Sequence, residues 1–132
     1  MIKTPTSVSK AENSIMLVED DQIVAKLISH LLVQRGFIVN ISSNGRQAIE
    51  NLDSKKPPCL ILLDIMLPFA DGFEVLSQIR SRQGWEKVPI IMLTSKTQEF
   101  NVIRAFEGGA DDYMTKPFQP GELMVRINRF LR

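Results

Sequence analysis

Leu60-Ile61-Leu62-Leu63-Asp64 sets four consecutive aliphatic residues directly before a carboxylate. A run with no polar alternation suits a strand covered on both faces, as in a parallel sheet. Two other runs have the same form. Ile15-Met16-Leu17-Val18 leads into Glu19-Asp20-Asp21, and Ile90-Ile91-Met92-Leu93 leads into Thr94-Ser95. A fourth, Tyr113-Met114-Thr115, delivers Lys116-Pro117. As neighbouring parallel strands, these runs bring acids, a hydroxyl and an amine to one sheet edge, where open parallel sheets carry their functional crevice.

Helical signals fill the gaps between the runs. Ile23, Leu27, Ile28, Leu31 and Leu32 form one stripe that ends at Gly36, a suitable residue just past a helix. Phe37 to Ile41 alternates more and suits a strand nearer an edge. Asn44 can cap a helix carrying Ala48, Ile49 and Leu52, which Pro57-Pro58 ends. Phe73, Leu76 and Ile79 mark a third helix. Thr97 is expected to cap a fourth that runs through Phe106 to Gly108-Gly109. The short polar segment Asp111 to Thr115 suits an edge strand. Pro120 suits the first turn of a last helix burying Leu123, Ile127, Phe130 and Leu131. Five strand–helix units in a row predict an α/β domain, a doubly wound (βα)5 arrangement with a five-stranded parallel sheet and right-handed crossovers.

Composition narrows the function classes. The 132 residues suit one domain, and 44% hydrophobic with 23% charged residues is ordinary for a globular chain. A net charge of +1 gives no electrostatic reason to expect direct nucleic-acid or membrane binding. The lone Cys59 has no internal partner, which fits a reducing cytoplasm. Residues 1 to 13 are polar and are expected to be a flexible tail rather than a secretory signal, with the folded domain over 14–132.

The convergent groups suggest a chemistry. Glu19, Asp20 and Asp64 at adjacent strand ends would repel one another unless partly protonated or bound to a cation. Oxygen-only ligands at an open site favour Mg²⁺. Lys116 and Thr94 facing the same carboxylate suit the oxygens of a transferring phosphoryl group, with Asp64 as nucleophile. Three solvated loop acids, a surface lysine and a turn hydroxyl are the bland alternatives, each acceptable singly and weaker jointly.

Five motifs in order resemble the receiver domain of two-component response regulators. They are Val18-Glu19-Asp20-Asp21, Leu62-Leu63-Asp64-Ile65-Met66-Leu67-Pro68, Asp71-Gly72-Phe73-Glu74, Leu93-Thr94-Ser95, and Gly109-Ala110-Asp111-Asp112-Tyr113-Met114-Thr115-Lys116-Pro117-Phe118. The resemblance covers about residues 14 to 132 and implies a flavodoxin-like sheet in the order 2-1-3-4-5. It implies that Asp64 accepts a phosphoryl group from a histidine kinase or histidine phosphotransfer protein. It further implies Mg²⁺, or Mn²⁺ in its place, on Asp20, Asp64 and the backbone carbonyl of Met66, with Glu19 acting through water. Lys116 would pair with the phosphoryl group, and its bond to Pro117 would be cis. Thr94 and Tyr113 would be the switch residues, Thr94 drawn inward and Tyr113 following it. Met66 and Lys96 flank the site, where they would tune the phosphoryl lifetime.

The C-terminal segment resembles receivers fused to winged-helix transcription factors, which dimerise through their fourth helix, fifth strand and fifth helix. Arg104, Asp111, Asp112, Glu122 and Arg126 are the candidate interface charges here, with Asp112 and Arg126 the favoured pair. Val102 stands where such receivers often place a basic residue, which weakens the expectation of that homodimer. The output partner or fused effector is left open. A Mg²⁺-dependent phosphohydrolase with an aspartyl nucleophile is the alternative, but it would want a second aspartate where Met66 stands. A nucleotide-binding domain would find Glu19-Asp20-Asp21 repelling its phosphates.

Overall fold

The alternation read from the sequence is the architecture. The structure, a computed structural model, describes residues 13–96 and 98–131. The expected tail, apart from Asn13, and the expected Thr97 cap lie outside the described residues. In chain order the elements are β1 (Ser14–Val18), α1 (Gln22–Gln34), β2 (Ile38–Ser42), α2 (Gly45–Ser54), β3 (Leu60–Leu63), α3 (Gly72–Ser81), β4 (Ile90–Thr94), α4 (Glu99–Glu107), β5 (Asp112–Thr115) and α5 (Pro120–Phe130). The strands form one sheet in the order β2-β1-β3-β4-β5, all neighbours parallel.

The unbroken aliphatic runs are explained by burial on both faces. Met16, Val18, Ile61, Leu63, Ile90 and Met92 pack into one core layer with Ala48, Leu52, Val75, Leu76, Ile79 and Ala105 of α2, α3 and α4. Their neighbours Ile15, Leu17, Leu60, Leu62, Ile91 and Leu93 pack into the other, under Ala25, Ile28 and Leu32 of α1 and Leu123, Met124 and Ile127 of α5. Side chains alternate across a strand, so each run feeds both layers in turn.

Asn44 caps α2 as expected, accepting from the N–H of Gln47 at 2.8 Å, and the structure adds a cap at Asp71, which accepts from the N–H of Glu74 at 3.0 Å to start α3. Gly36 ends α1 with a φ of +92°. Asn13, expected in the tail, instead donates from its side-chain amide to the Gly36 carbonyl at 2.6 Å.

Two packing expectations need correction. On α1 the buried stripe is Ala25, Ile28 and Leu32, whereas Ile23 is 81% and Leu27 53% exposed. Each residue turns the helix by about 100°, so five aliphatics span more of the circumference than one sheet face can cover, and the small Ala25 sits at the contact. On α5, Met124 is buried with Leu123 and Ile127, while Phe130 and Leu131 are only partly covered. Cys59 is half-buried, and its thiol donates to the Ser14 carbonyl at 3.0 Å.

One residue departs from ordinary backbone geometry. Phe69, in the β3–α3 loop, has a φ of 73° and is the one non-glycine residue with positive φ among those described. That conformation costs an L-residue about 1–2 kcal/mol. The Arg46 guanidinium lies 4.8 Å from its ring centroid, and exposed contacts of that kind return about 0.5–1 kcal/mol.

Candidate functional site

Parallel register sets the geometry at the carboxyl edge of the sheet. Val18 pairs with Leu63, so Glu19 and Asp64 leave β1 and β3 side by side, and the Asp64 N–H donates to the Val18 carbonyl at 3.1 Å. Thr94 pairs with Thr115 at the ends of β4 and β5, which brings Lys116 into the same row. The Lys116 ammonium donates to Glu19 Oε1 and, at 3.0 Å, to Asp64 Oδ2. The Lys116–Pro117 bond is cis. Gly72 packs against the Asp64 backbone so closely that a side chain there would collide with the Asp64 carbonyl.

The acids differ in their surroundings. Glu19 and Asp64 are buried, and Asp20 is exposed at the lip. Burial pushes the Glu19 carboxyl above its ordinary range, against the Lys116 hydrogen bond and with the negative charge of Asp64 adding to the rise. Burial also works against the Lys116 charge, but its hydrogen bonds to Glu19 and Asp64 outweigh this and raise its pKa. Each of Glu19, Asp20 and Asp64 offers a carboxylate oxygen, all within 4.8 Å of one another. They border an open cleft of about 520 Å³ that Met66, Ser95 and Lys116 also line. Hard oxygen donors at a wet, open site fit an ion that keeps several waters, as Mg²⁺ does.

Thr94 is fully buried at the end of β4, with its hydroxyl accepting from the Lys96 N–H at 3.3 Å. Tyr113 is half-buried against the α3-side core, and its hydroxyl donates to the Lys96 carbonyl. Both expected switch residues therefore meet at the β4–α4 loop. Met66 lines the cleft, and its N–H donates to Asp64 Oδ1 at 3.3 Å.

The five candidate interface charges are all engaged within the chain. Asp112 receives two bonds from Arg126 at 2.9 and 3.0 Å, and Glu122 accepts from Arg126 at 3.2 Å. Asp111 accepts from Arg80 and from the Ile90 N–H, both at 2.9 Å. Arg104 stacks 4.1 Å from the Phe73 ring centroid.

Arg80 was not singled out by sequence. It donates to the carbonyls of Trp85, Glu86, Val88 and Gly109 as well as to Asp111, tying the α3–β4 connection to the α4–β5 turn. A lone arginine near a helix end gives no signal of such a role.

Fold and site together define a doubly wound α/β domain with an acidic cleft and a lysine at its strand ends, the class of small phosphoryl-accepting switches. The chain belongs to the response regulator receiver domain family, whose model matches residues 15–128. It is 42% identical over 118 residues to the alkaline phosphatase synthesis transcriptional regulatory protein PhoP of Bacillus subtilis, covering 89% of this chain and 48% of that protein. It is 40% identical to the transcriptional regulatory protein SrrA of Staphylococcus aureus, covering 91% and 48%. The chain thus spans about half the length of the curated relatives it matches.

Solved structures agree. The BeF3-activated N-terminal receiver domain of Klebsiella pneumoniae RstA superposes with a TM-score of 0.83 at 38% identity, covering 91% of this chain and 99% of that one. The receiver domain of the sensor histidine kinase PA1611 from Pseudomonas aeruginosa, with a magnesium ion coordinated in its active-site cleft, gives 0.82 at 30%, covering 90% and 97%. The chain is a receiver, a phosphoacceptor signalling switch of two-component systems, and the phosphohydrolase alternative is not favoured.

Proposed function

We propose that Asp64 is the phosphoacceptor and that Lys116, Thr94 and Tyr113 couple its state to the α4–β5–α5 face. The observation that carries this reading is the Lys116 ammonium held against both Asp64 and Glu19 in one cleft. Asp64 attacks phosphorus, the P–N bond to a donor histidine breaks, and the new P–O bond leaves an acyl phosphate on Asp64. Lys116 is placed to meet the charge on the phosphoryl oxygens. Phosphorylation adds about −1.5 to −2 charges, and Thr94 drawn inward satisfies one of the added oxygens.

Asp20, Asp64 and the Met66 carbonyl, with Glu19 through water, would hold Mg²⁺ or Mn²⁺, which supplies charge neutralisation when bound. The phosphoryl donor is a histidine kinase or phosphotransfer protein, and the setting is the cytoplasm. The output is a change on the α4–β5–α5 face, read by a fused domain, a partner or a second copy. For a dimer, Asp112 and Arg126 would exchange their pairing within the chain for one across it.

The test is intact-mass measurement after incubation with acetyl phosphate and Mg²⁺. A gain of one phosphoryl group that is absent from Asp64→Asn and from a chelator-treated sample supports the reading. A gain that persists in Asp64→Asn refutes it.

A further inference from the structure

Arg104 sits on the α3 side of α4, its guanidinium 4.1 Å from the centroid of the Phe73 ring. A ring contact of this kind leaves the N–H fork of a guanidinium open to a planar acceptor. Among the described residues, no carboxylate or carbonyl takes up that fork. Arg80 is the opposite case. Its donors are spent on the carbonyls of Trp85, Glu86, Val88 and Gly109 and on Asp111, which balances its charge.

The two arginines line one groove of about 460 Å³ between α3 and α4, together with Phe73, Leu76, Ser77 and Ser81. That volume lies within the range of small-molecule sites, about 300–1,000 Å³. Its floor is apolar, and Gly108 brings the two helices close there, since a Cβ at that position would come within 2.9 Å of a Leu76 methyl. The Ser81 hydroxyl donates to the Gln78 carbonyl, whereas Ser77, one turn earlier on α3, is exposed. No acid is among the lining residues. The groove therefore offers one open guanidinium fork, one exposed hydroxyl and an apolar floor. A single uncompensated cation suits a monoanion, and the fork matches the two oxygens of a carboxylate.

We propose that the α3–α4 groove binds a small aromatic carboxylate, with the carboxylate on Arg104 and the ring against Phe73 and Leu76. Such a ligand touches both walls. Since α4 buries only Asn101 and Ala105, its contacts to α3 help to set its position. The ligand favours the arrangement in which Phe73 and Arg104 lie together, so it opposes a displacement of α4 on phosphorylation, and each weakens the other by the same factor. This coupling rests on Asp64 being the acceptor; the binding itself does not.

The experiment is a titration of the isotope-labelled chain with β-naphthoate, followed by two-dimensional amide NMR. Saturable shifts centred on Phe73, Ser77 and Gly108 are expected, with a Kd of about 1 mM or below. The neutral analogue β-naphthylmethanol should bind at least tenfold more weakly. Arg104→Leu removes the fork, and Ser77→Leu fills the groove from an exposed position; each should weaken β-naphthoate at least fivefold and melt as the wild type does. Shifts that do not saturate, shifts centred on the acidic cleft, equal affinity for the alcohol, or wild-type affinity in both variants overturn the proposal. Mg²⁺ with beryllofluoride, a phosphoryl mimic, should weaken β-naphthoate at least threefold, and an unchanged affinity overturns the coupling. In Asp64→Asn this weakening should vanish. Weakening that persists there counts against the acceptor reading, an outcome distinct from the others.

Discussion

Helices α3 and α4 cover the same face of the sheet, yet the molecule holds them very differently. α3 buries Gly72, Val75, Leu76 and Ile79, and its first turn is capped by the Asp71 carboxylate. α4 buries only Asn101 and Ala105, and Gln98 at its start makes no side-chain capping bond. Phe100, Ile103 and Phe106, three residues apart along α4, are all exposed. What holds α4 sideways is the stacking of Arg104 on Phe73, across a groove of about 460 Å³ that Leu76 and Ser77 also line. A helix with few buried apolar contacts is drawn from the low-stability end of a fold, where moving elements are found. The helix that follows Asp64 is anchored by burial and a cap, and the one that follows Thr94 has less of both. A receiver needs that division, because its acceptor has to be preorganised while its reporting face has to change.

The largest expected effect separates the two helices by stability. Ile79→Ala on α3 should lower unfolding stability by about 2–5 kcal/mol, the range for truncating a buried isoleucine. Ile103→Ala on α4 should change it by less than about 0.5 kcal/mol. Urea denaturation of both variants checks this, and equal losses would break the contrast.

The next concerns the fixed side. Lys116→Met should reduce Mg²⁺-dependent phosphorylation by acetyl phosphate about 10²–10³-fold, the usual consequence of removing one preorganised group that meets developing charge. Initial rates followed by intact mass decide it. A loss below threefold would mean that the ammonium is structural only.

Capping gives a smaller contrast. Asp71→Ala should cost about 1 kcal/mol, since the Glu74 N–H loses its acceptor. Gln98→Ala removes no capping bond, only the acceptor of the Asn101 amide at 3.2 Å, and should cost less than Asp71→Ala. Thermal melts of the two variants read the difference directly, and a comparable cost at Gln98 would show α4 to be better anchored than its contacts indicate.

How far these features could be read in advance follows from the range of the forces involved. The five strands and the strand-end chemistry were legible because burial on both faces leaves runs such as Leu60 to Leu63, and because each run stops at a polar residue. The cap at Asn44 was legible because its bond reaches only three residues along the chain. The exposure of Ile23 and Leu27 was not, since an apolar stripe does not say which part of it meets the sheet. Nor was the engagement of Asp111 by Arg80, a contact between residues 31 apart in sequence. The left-handed Phe69 was hidden for another reason, as local sterics argue against it and only the packed loop enforces it.

The smallest expected effect tests the joint between the two regions. Tyr113 donates its hydroxyl to the Lys96 carbonyl in the β4–α4 loop, and ionising it would break that bond. Burial raises the phenol above its ordinary value of about 10, and the negative charge of Asp64 raises it further. A raised folded-state pKa means that the neutral phenol is favoured by folding. That contribution to stability is complete below pH about 10 and is lost as pH rises through the folded value. The chain has one tyrosine, so phenolate absorbance reports it alone. The midpoint should lie above that of free tyrosine and should fall only part of the way in Asp64→Asn, because burial is the larger cause. A midpoint at or below the free value would place the ring in solvent and remove its link to the loop that α4 follows.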